Sequence, residues 1–274
     1  MVFFVERSLS LRVLTLNVWN TEGPAFRQPL LPGAIAALRP DLVSLQEVGR
    51  EQLARVLAGT DLFAVHQTDL LAPHDLTRQA GTALASRWKP SAVEAVELPE
   101  GDSVECAIAA TIKLPVGGDL LFLAVKPTWR LDSEAARLAQ ARAIADFDAK
   151  LRGPVPSVIA GDFDATPDAD SMRFLAGRAV SECTSVHYHD SWTIGGDGGE
   201  GHTWTTENPL AAPVVDALVG QSPHARRIDY VLVGSRHNHP EVAAHVRRCE
   251  VVLTDPPLSD HYGVLAEIEI RPLS

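Results

Sequence analysis

The stretch Val158-Ile-Ala-Gly-Asp-Phe-Asp-Ala-Thr-Pro-Asp168 decides how the whole chain is interpreted. It is a short apolar run that ends abruptly in two carboxylates, Asp162 and Asp164. Such a run predicts a buried strand, and its carboxylates then lie where the chain leaves the core. A calcium-binding EF-hand loop is excluded, because its sixth position requires Gly and holds Pro167, and its twelfth requires Glu and holds Arg173.

Three other segments follow the same plan, in which an apolar strand ends in polar side chains. They are LTLNVW (14–19), VSLQEVG (43–49) and LSDHYGVLAEI (258–268). Their polar residues are Asn17, Gln46, Glu47, Asp260 and His261. Ligand sites often form where strand ends converge in stacked-sheet proteins, so we expect these side chains to meet.

The residue types at these strand ends suit metal-assisted chemistry. Mg²⁺ prefers oxygen ligands and usually takes one or two carboxylates, with phosphate oxygens and water completing its coordination. Glu47, Asp162 and Asp260 are therefore candidate metal ligands. His261 titrates near neutral pH and is a candidate acid, base or phosphate contact.

Between these segments, strand-like apolar runs alternate with helical patterns. Strands are predicted at 11–16, 42–46, 62–66, 82–86, 92–98, 106–114, 120–125, 155–160, 228–233, 246–253 and 262–270, and helices at 29–38, 51–57, 132–151 and 166–175. In the helix at 132–151, Leu138, Ala141 and Ile144 form an apolar stripe, with Arg137 expected on another face. The glycine-rich segment 190–213 is predicted to be rich in loops. With no internal repeat or linker, residues 1–274 are expected to form one domain.

The composition excludes several classes of protein. Hydrophobic residues make up 46% and charged residues 22% of the 274 residues, which is typical of a globular protein. The net charge of -11 weighs against a protein that coats DNA by general attraction. The three cysteines have no CxxC pair, so we expect reduced thiols in a cytoplasmic protein. No apolar run approaches the ~20 residues of a membrane span. The sequence indicates neither a membrane anchor nor an obligate protein partner.

The order of the segments TLNVW, LQEV, GTALASRW, GDFDATPD, RRIDYVLVG and SDHYGVLAEI, spread over residues 11–270, resembles the signature of a known superfamily. This is the endonuclease/exonuclease/phosphatase superfamily, which includes exonuclease III, deoxyribonuclease I, inositol polyphosphate 5-phosphatases and neutral sphingomyelinases. The resemblance implies an α/β (α+β) four-layer sandwich, in which two packed, mostly antiparallel sheets are flanked by helices. It also implies hydrolysis of phosphoric esters with Mg²⁺, for which Mn²⁺ is a substitute.

The resemblance assigns the metal and the attacking water to particular carboxylates. Glu47 is the main metal ligand, Asp260 lies near the metal, and Asp162 orients or deprotonates the water. Asp164 stands where the superfamily carries Asn, and a carboxylate can only accept hydrogen bonds from its neighbours when ionised. A second metal ion on Asp162 and Asp164 is one hypothesis for this departure.

The resemblance also implies how the phosphate is bound. Asn17 contacts the phosphate or the network around the water, and His261 binds the phosphate or acts as a base. Asp229, in RRIDYVLVG, orients His261. A second departure falls before the helix at 132–151, where Thr128 replaces a histidine of the superfamily. Lys126 is then a candidate for the lost positive charge.

The substrate is left open by the sequence. Candidate substrate contacts flank the predicted strands and the glycine-rich loop, and they are Arg78, Thr128, Trp129, Trp192, His202 and Trp204. The net charge favours a phosphorylated small molecule, and a nucleic acid substrate is the alternative. A relative that binds a phosphorylated ligand without turnover is a further alternative.

Overall fold

The structure is a computed structural model, and it describes residues 8–71, 80–101 and 105–273. The strands are β1 (Leu9–Asn17), β2 (Leu42–Gln46), β3 (Phe63–His66), β4 (Ala83–Ser86), β5 (Ala92–Glu97), β6 (Cys106–Lys113), β7 (Asp119–Lys126), β8 (Val155–Asp162), β9 (Tyr188–Asp190), β10 (Trp204–Thr205), β11 (Ala225–Arg226), β12 (Asp229–Gly234), β13 (Val242–Val252) and β14 (Gly263–Pro272). The helices are α1 (Arg27–Leu38), α2 (Arg50–Val56), α3 (Glu134–Leu151), α4 (Asp170–Leu175), α5 (Ser191–Gly195) and α6 (Ala212–Val219).

Two six-stranded sheets form the centre of the molecule. Their strand orders are β13-β14-β1-β2-β4-β3 and β5-β6-β7-β8-β12-β9, and β10 pairs with β11 separately. Within the two sheets only β1–β2 and β7–β8 are parallel among the described strands. One apolar core lies between the sheets, a second packs the first sheet against α1 and α2, and a third packs the other sheet against α3 and α4. The predicted four-layer sandwich is confirmed.

Side-chain alternation along the strands determines which residues reach the site. In β1, Leu11 and Val13 belong to the core between the sheets, whereas Leu14 and Leu16 face the helices. Because successive side chains of a strand point to opposite faces, Asn17 follows Leu11 and Val13 onto the inner face. The same alternation carries Lys126 of β7 and Asp162 of β8 inward after the apolar residues that precede them.

Strand direction brings these inward residues to one edge. The parallel pair β1–β2 aligns Asn17 with Gln46, so Glu47 leaves the sheet beside Asn17. In the other sheet, β12 runs antiparallel to β8 and begins with Asp229 opposite Asp162. The hydroxyl of Ser44 donates a hydrogen bond across the core to the carbonyl of Ala160 at 2.8 Å, which fixes one sheet against the other.

The structure corrects one local prediction and adds detail to two others. The helix expected from residue 166 begins at Asp170, because residues 166–169 form a turn that closes through a bond from Ala169 N to Thr166 O. The segment 190–213 is loop-rich as predicted, and it also contains α5, β10 and the start of α6. Arg137 is buried at 4% exposure, because its guanidinium donates to the carbonyls of Thr128 and Arg130 and pairs with Glu134.

Two further observations bear on the sequence expectations. Cys106, Cys183 and Cys249 form no disulfide with one another, and Cys106 and Cys249 are buried. Within the described ranges, no helix has both the length and the apolar character that crossing a membrane requires.

Candidate active site

Asn17 connects carboxylates that come from the two sheets. Its Nδ2 donates to Glu47 Oε1 at 2.8 Å and to Asp162 Oδ2 at 3.0 Å. Its Oδ1 accepts from the backbone N–H of Trp19 at 2.9 Å. With 1% of its surface exposed, Asn17 lies beneath the site and holds two acidic side chains in fixed positions.

Lys126 supplies a buried positive charge among these carboxylates. Its ammonium lies 2.8 Å from Asp162 Oδ2, makes a second, shorter contact with Asp164, and lies 3.9 Å from Glu47 Oε1. Burial opposes the charged form of Lys126, but the three carboxylates outweigh it and raise its pKa well above the ordinary value. The lysine is therefore a permanent cation at neutral pH.

The carboxylates respond differently to this cation. Burial alone would raise the pKa of Asp162, but Lys126 and His261 lower it to about 2, so Asp162 is ionised at neutral pH. Burial and repulsion from Asp162 raise the pKa of Asp164 to about 6. Burial, with repulsion from Glu47, also raises the pKa of Asp260 to about 6.

His261 is held from behind by Asp229. The imidazole Nδ1 lies 2.9 Å from Asp229 Oδ2, and Nε2 lies 3.9 Å from Asp162 Oδ2. Burial opposes protonation of His261, but Asp229 and Asp162 raise its pKa well above the ordinary value. In the protonated form Nδ1–H donates to Asp229, which leaves Nε2–H on the side of Asp162.

The backbone of two acidic residues adopts an uncommon conformation. Glu47 and Asp164 both have φ of 51°, in the left-handed region that non-glycine residues seldom adopt. Strained backbone of this kind clusters at functional sites, where the surrounding structure holds it in place. For Glu47 that support includes the hydrogen bond from Asn20 N to Glu47 O at 2.7 Å.

A cavity of about 160 Å³ opens above these groups. The predicted site residues that line it are Glu47, Lys126, Trp129, Asp162, Asp164, Trp204, Asp260 and His261. Asn17 and Asp229 lie behind this lining and orient it. The structure thus brings together the metal, water and phosphate candidates that the sequence scatters over some 250 residues.

The chemistry of the lining fits a divalent cation. Glu47 and Asp260 line the same cavity, and their mutual repulsion contributes to the raised pKa of Asp260. Hard cations prefer such carboxylate oxygens. Asp162, Asp229 and His261 also cluster, with ligand atoms within 4.8 Å of one another. Because Nδ1 of His261 already hydrogen-bonds to Asp229, we describe that cluster as a hydrogen-bonded network, and Glu47, Asp162 and Asp260 stay the candidate metal ligands.

Thr128, Trp192 and His202 do not line the first cavity, whereas Trp204 does. Thr128 is buried at 2% exposure, with its backbone N–H donating to Gln140. Trp192 and His202 line a separate cavity of about 560 Å³, which shares Arg226 with the first. Trp204 is buried, and its ring lies 6.5 Å from that of His261. Arg78 lies outside the described residues.

Sequence reasoning missed several residues that build the site. The side chain of Asn208 donates to the carbonyls of Ser259 and Asp260, and Arg226 donates to the carbonyl of Asp164. Val214 and Leu218 of α6 line the cavity. Their spacing of four residues in PVVDAL is a helical signal that directly follows the glycine-rich segment 190–213.

Two packed sheets with these residues at one edge define the phosphoesterase and nuclease class of fold. The profile of the endonuclease/exonuclease/phosphatase family matches residues 14–261, and the chain belongs to this family. Its members hydrolyse phosphate esters. No curated protein sequence matches the chain.

Solved structures support the same fold. The chain is similar to an endonuclease/exonuclease/phosphatase from Bacteroides vulgatus (19% identity, TM-score 0.71, covering 95% of this chain and 98% of that one). It is also similar to one from Beutenbergia cavernae DSM 12333 (24%, 0.68, 96% and 72%). A third is D. rerio TDP2 complexed with single strand DNA product (16%, 0.72, 94% and 98%). At these identities the similarity shows the fold.

Proposed function

We propose that this protein is a Mg²⁺-dependent hydrolase of phosphoric esters, acting on a phosphodiester or a phosphomonoester. The observation that carries the proposal is the convergence of Glu47, Asp162 and Asp260 with the cations Lys126 and His261 on one cavity. Carboxylates for a metal and cations for a phosphate are the two requirements of this reaction. The expected cytoplasmic location stays part of the proposal and is supported by the three cysteines, which form no disulfide with one another.

Glu47 and Asp260 would hold the metal, with Mn²⁺ as a substitute for Mg²⁺. When bound, the metal ion would neutralise the negative charge that develops on the phosphoryl oxygens during the reaction. The buried carboxylates outnumber Lys126 and His261, so the protein alone repels an anionic substrate. The need for a further cation follows from this imbalance.

The side chains of the protein supply orientation and hydrogen bonding. Asp162 is ionised and fixed by Asn17 and Lys126, so it can accept a hydrogen bond from the attacking water and orient it in line with the leaving oxygen. His261, held by Asp229, presents Nε2–H as a donor to a phosphoryl oxygen. Lys126 supplies the positive charge that Thr128 does not.

The experiment uses bis-(4-nitrophenyl) phosphate and 4-nitrophenyl phosphate with Mg²⁺, with Mn²⁺ and with EDTA. The blank is Glu47→Gln, which keeps an oxygen to accept from Asn17 but loses the charge. Glu51→Gln, at an exposed position of α2, is the matched control. We expect metal-dependent release of 4-nitrophenolate in the wild type and the control, and loss of at least 100-fold in Glu47→Gln.

Three results would contradict parts of this proposal. Full activity of Glu47→Gln would remove Glu47 from the metal site. Release that continues in EDTA would remove the metal from the reaction. No release with either metal ion would favour the alternative of a protein that binds a phosphorylated ligand without turnover.

A further inference from the structure

One side of the active-site cavity is apolar and exposed to solvent. Trp129, Leu131 and Leu218 are 48%, 45% and 44% exposed, which is high for large apolar side chains. All three line the cavity that contains the carboxylates, together with Val214. We call these four residues the apolar wall. Exposed apolar residues gathered at one site, and not scattered singly, mark a place where a ligand or partner binds.

The two halves of the apolar wall are anchored to the catalytic framework. Val214 and Leu218 are four residues apart in α6 and so lie on one face of it. The carbonyl of Asn208 accepts a hydrogen bond from the first turn of α6. The side chain of the same residue donates to the carbonyls of Ser259 and Asp260, so it connects α6 to the metal-site backbone. For the other half, Arg137 and Gln140 hydrogen-bond the backbone on both sides of Trp129. The wall is therefore positioned relative to the carboxylates.

We infer that the apolar wall binds an aromatic hydrocarbon group attached to the phosphate, so that the substrate is an aryl phosphoric ester. This inference rests on the proposed function and names its substrate class. Trp19 and Trp204 line the same cavity as Trp129, and such rings favour a flat aromatic partner. The wall suits a hydrocarbon ring better than a nucleobase, because the side chains of Leu131, Val214 and Leu218 offer no donor or acceptor to the polar edges of a base. The cavity of about 160 Å³ is open to solvent at the wall, so a phosphoryl group can lie beside the carboxylates while the ring lies against Trp129 and Leu218.

The test measures binding, so that it does not depend on turnover. Isothermal titration calorimetry in Mg²⁺ compares phenylphosphonate, methylphosphonate and thymidine 5′-monophosphate. We expect phenylphosphonate to bind about tenfold more tightly than methylphosphonate. That ratio should fall toward one in Trp129→Ala and in Leu218→Gln. The matched controls are Phe63→Ala and Leu30→Gln, whose side chains are 49% and 47% exposed outside the cavity, and they should keep the ratio.

Each result separates this inference from the proposed function. A wild-type ratio near one overturns the inference even when the nitrophenyl esters are hydrolysed. A high ratio that needs Trp129 and Leu218 supports the inference even when no ester is hydrolysed. Tighter binding of thymidine 5′-monophosphate than of phenylphosphonate, lost in Trp129→Ala, overturns it in favour of a nucleotide. A ratio near one with Trp129-dependent binding to phosphatidylcholine vesicles overturns it in favour of a lipid surface.

Discussion

The ammonium of Lys126 donates a hydrogen bond to Asp162 at 2.8 Å and contacts Asp164 on its other side. One lysine therefore offsets the negative charge of the two carboxylates in the GDFD segment. It lies on β7, the neighbour of β8 in the same sheet. A second metal ion on Asp162 and Asp164 would have to displace this ammonium. We favour the lysine as their counter-ion, with the metal on the side of Glu47 and Asp260.

Replacing Lys126 with Met should destabilise the fold and reduce turnover. The change leaves Asp162 and Asp164 buried without a counter-charge, and removing one partner of a buried ion pair costs about 3–5 kcal/mol. Loss of the cation beside the phosphate should lower kcat by about 100-fold. Chemical denaturation and steady-state kinetics measure the two effects. Lys89→Met, at an exposed position, is the control, and equal stability of the two variants would contradict the ion pair.

Asp164→Asn should increase kcat/KM about threefold, because it removes a negative charge from the cavity and frees Lys126 to approach the phosphate. The fold should persist, since Asn tolerates the left-handed φ of 51° at this position. Crystals soaked in Mn²⁺ give the second measurement. A single anomalous peak beside Glu47, in wild type and variant alike, is expected. Two peaks in the wild type and one in Asp164→Asn would establish the second metal ion instead.

Asp229→Asn should lower the pKa of His261. In the folded wild type, Asp229 raises the pKa of His261. The His261–Asp229 pair therefore contributes its full stability below the pKa of an unfolded histidine, about 6.5. That contribution is lost as the pH rises through the pKa of His261 in the folded protein. Without the carboxylate, burial favours the neutral imidazole. An NMR titration of the His261 imidazole in EDTA should show the decrease, and kcat should fall about 10- to 100-fold.

Asp61→Asn, at an exposed loop position, is the control for this titration. An unchanged pKa of His261 in Asp229→Asn would show that Asp162 alone sustains the protonated form.

The strands and the site carboxylates were predictable because each is a local feature of the sequence. An apolar run followed by Asp162 or Glu47 marks both a strand and the point at which it leaves the core. The alternation that turns Asn17 and Lys126 inward follows from the period of a strand. The family resemblance rested on the order of these segments along the chain, and the structure confirms the fold that the resemblance implied.

The apolar wall and the buried supports were not predictable, because they depend on contacts between distant segments. Asn208 lies in a glycine- and proline-rich stretch that reads as a loop, yet its side chain holds the backbone of Ser259 and Asp260. Arg137 was expected only to face away from the apolar stripe of α3, and the carbonyls that bind it, those of Thr128 and Arg130, lie in the irregular segment before the helix. In both cases the partner is a backbone carbonyl oxygen. Every residue has one, so the sequence does not indicate which carbonyl is bound.

Arg27→Lys should destabilise the protein by about 3 kcal/mol and weaken metal binding. The Arg27 side chain is fully buried, and its three nitrogens donate to five backbone carbonyls, those of Val18, Trp19, Asn20, Glu22 and Leu258. A lysine has three donors and no fork, so carbonyls next to Asn17 and Asp260 lose their partners. Thermal unfolding and Mn²⁺ titration measure both effects, with exposed Arg39→Lys as the matched control. Wild-type metal affinity in a destabilised Arg27→Lys would confine the role of Arg27 to stability, because the loops that carry the ligands would then be positioned without it.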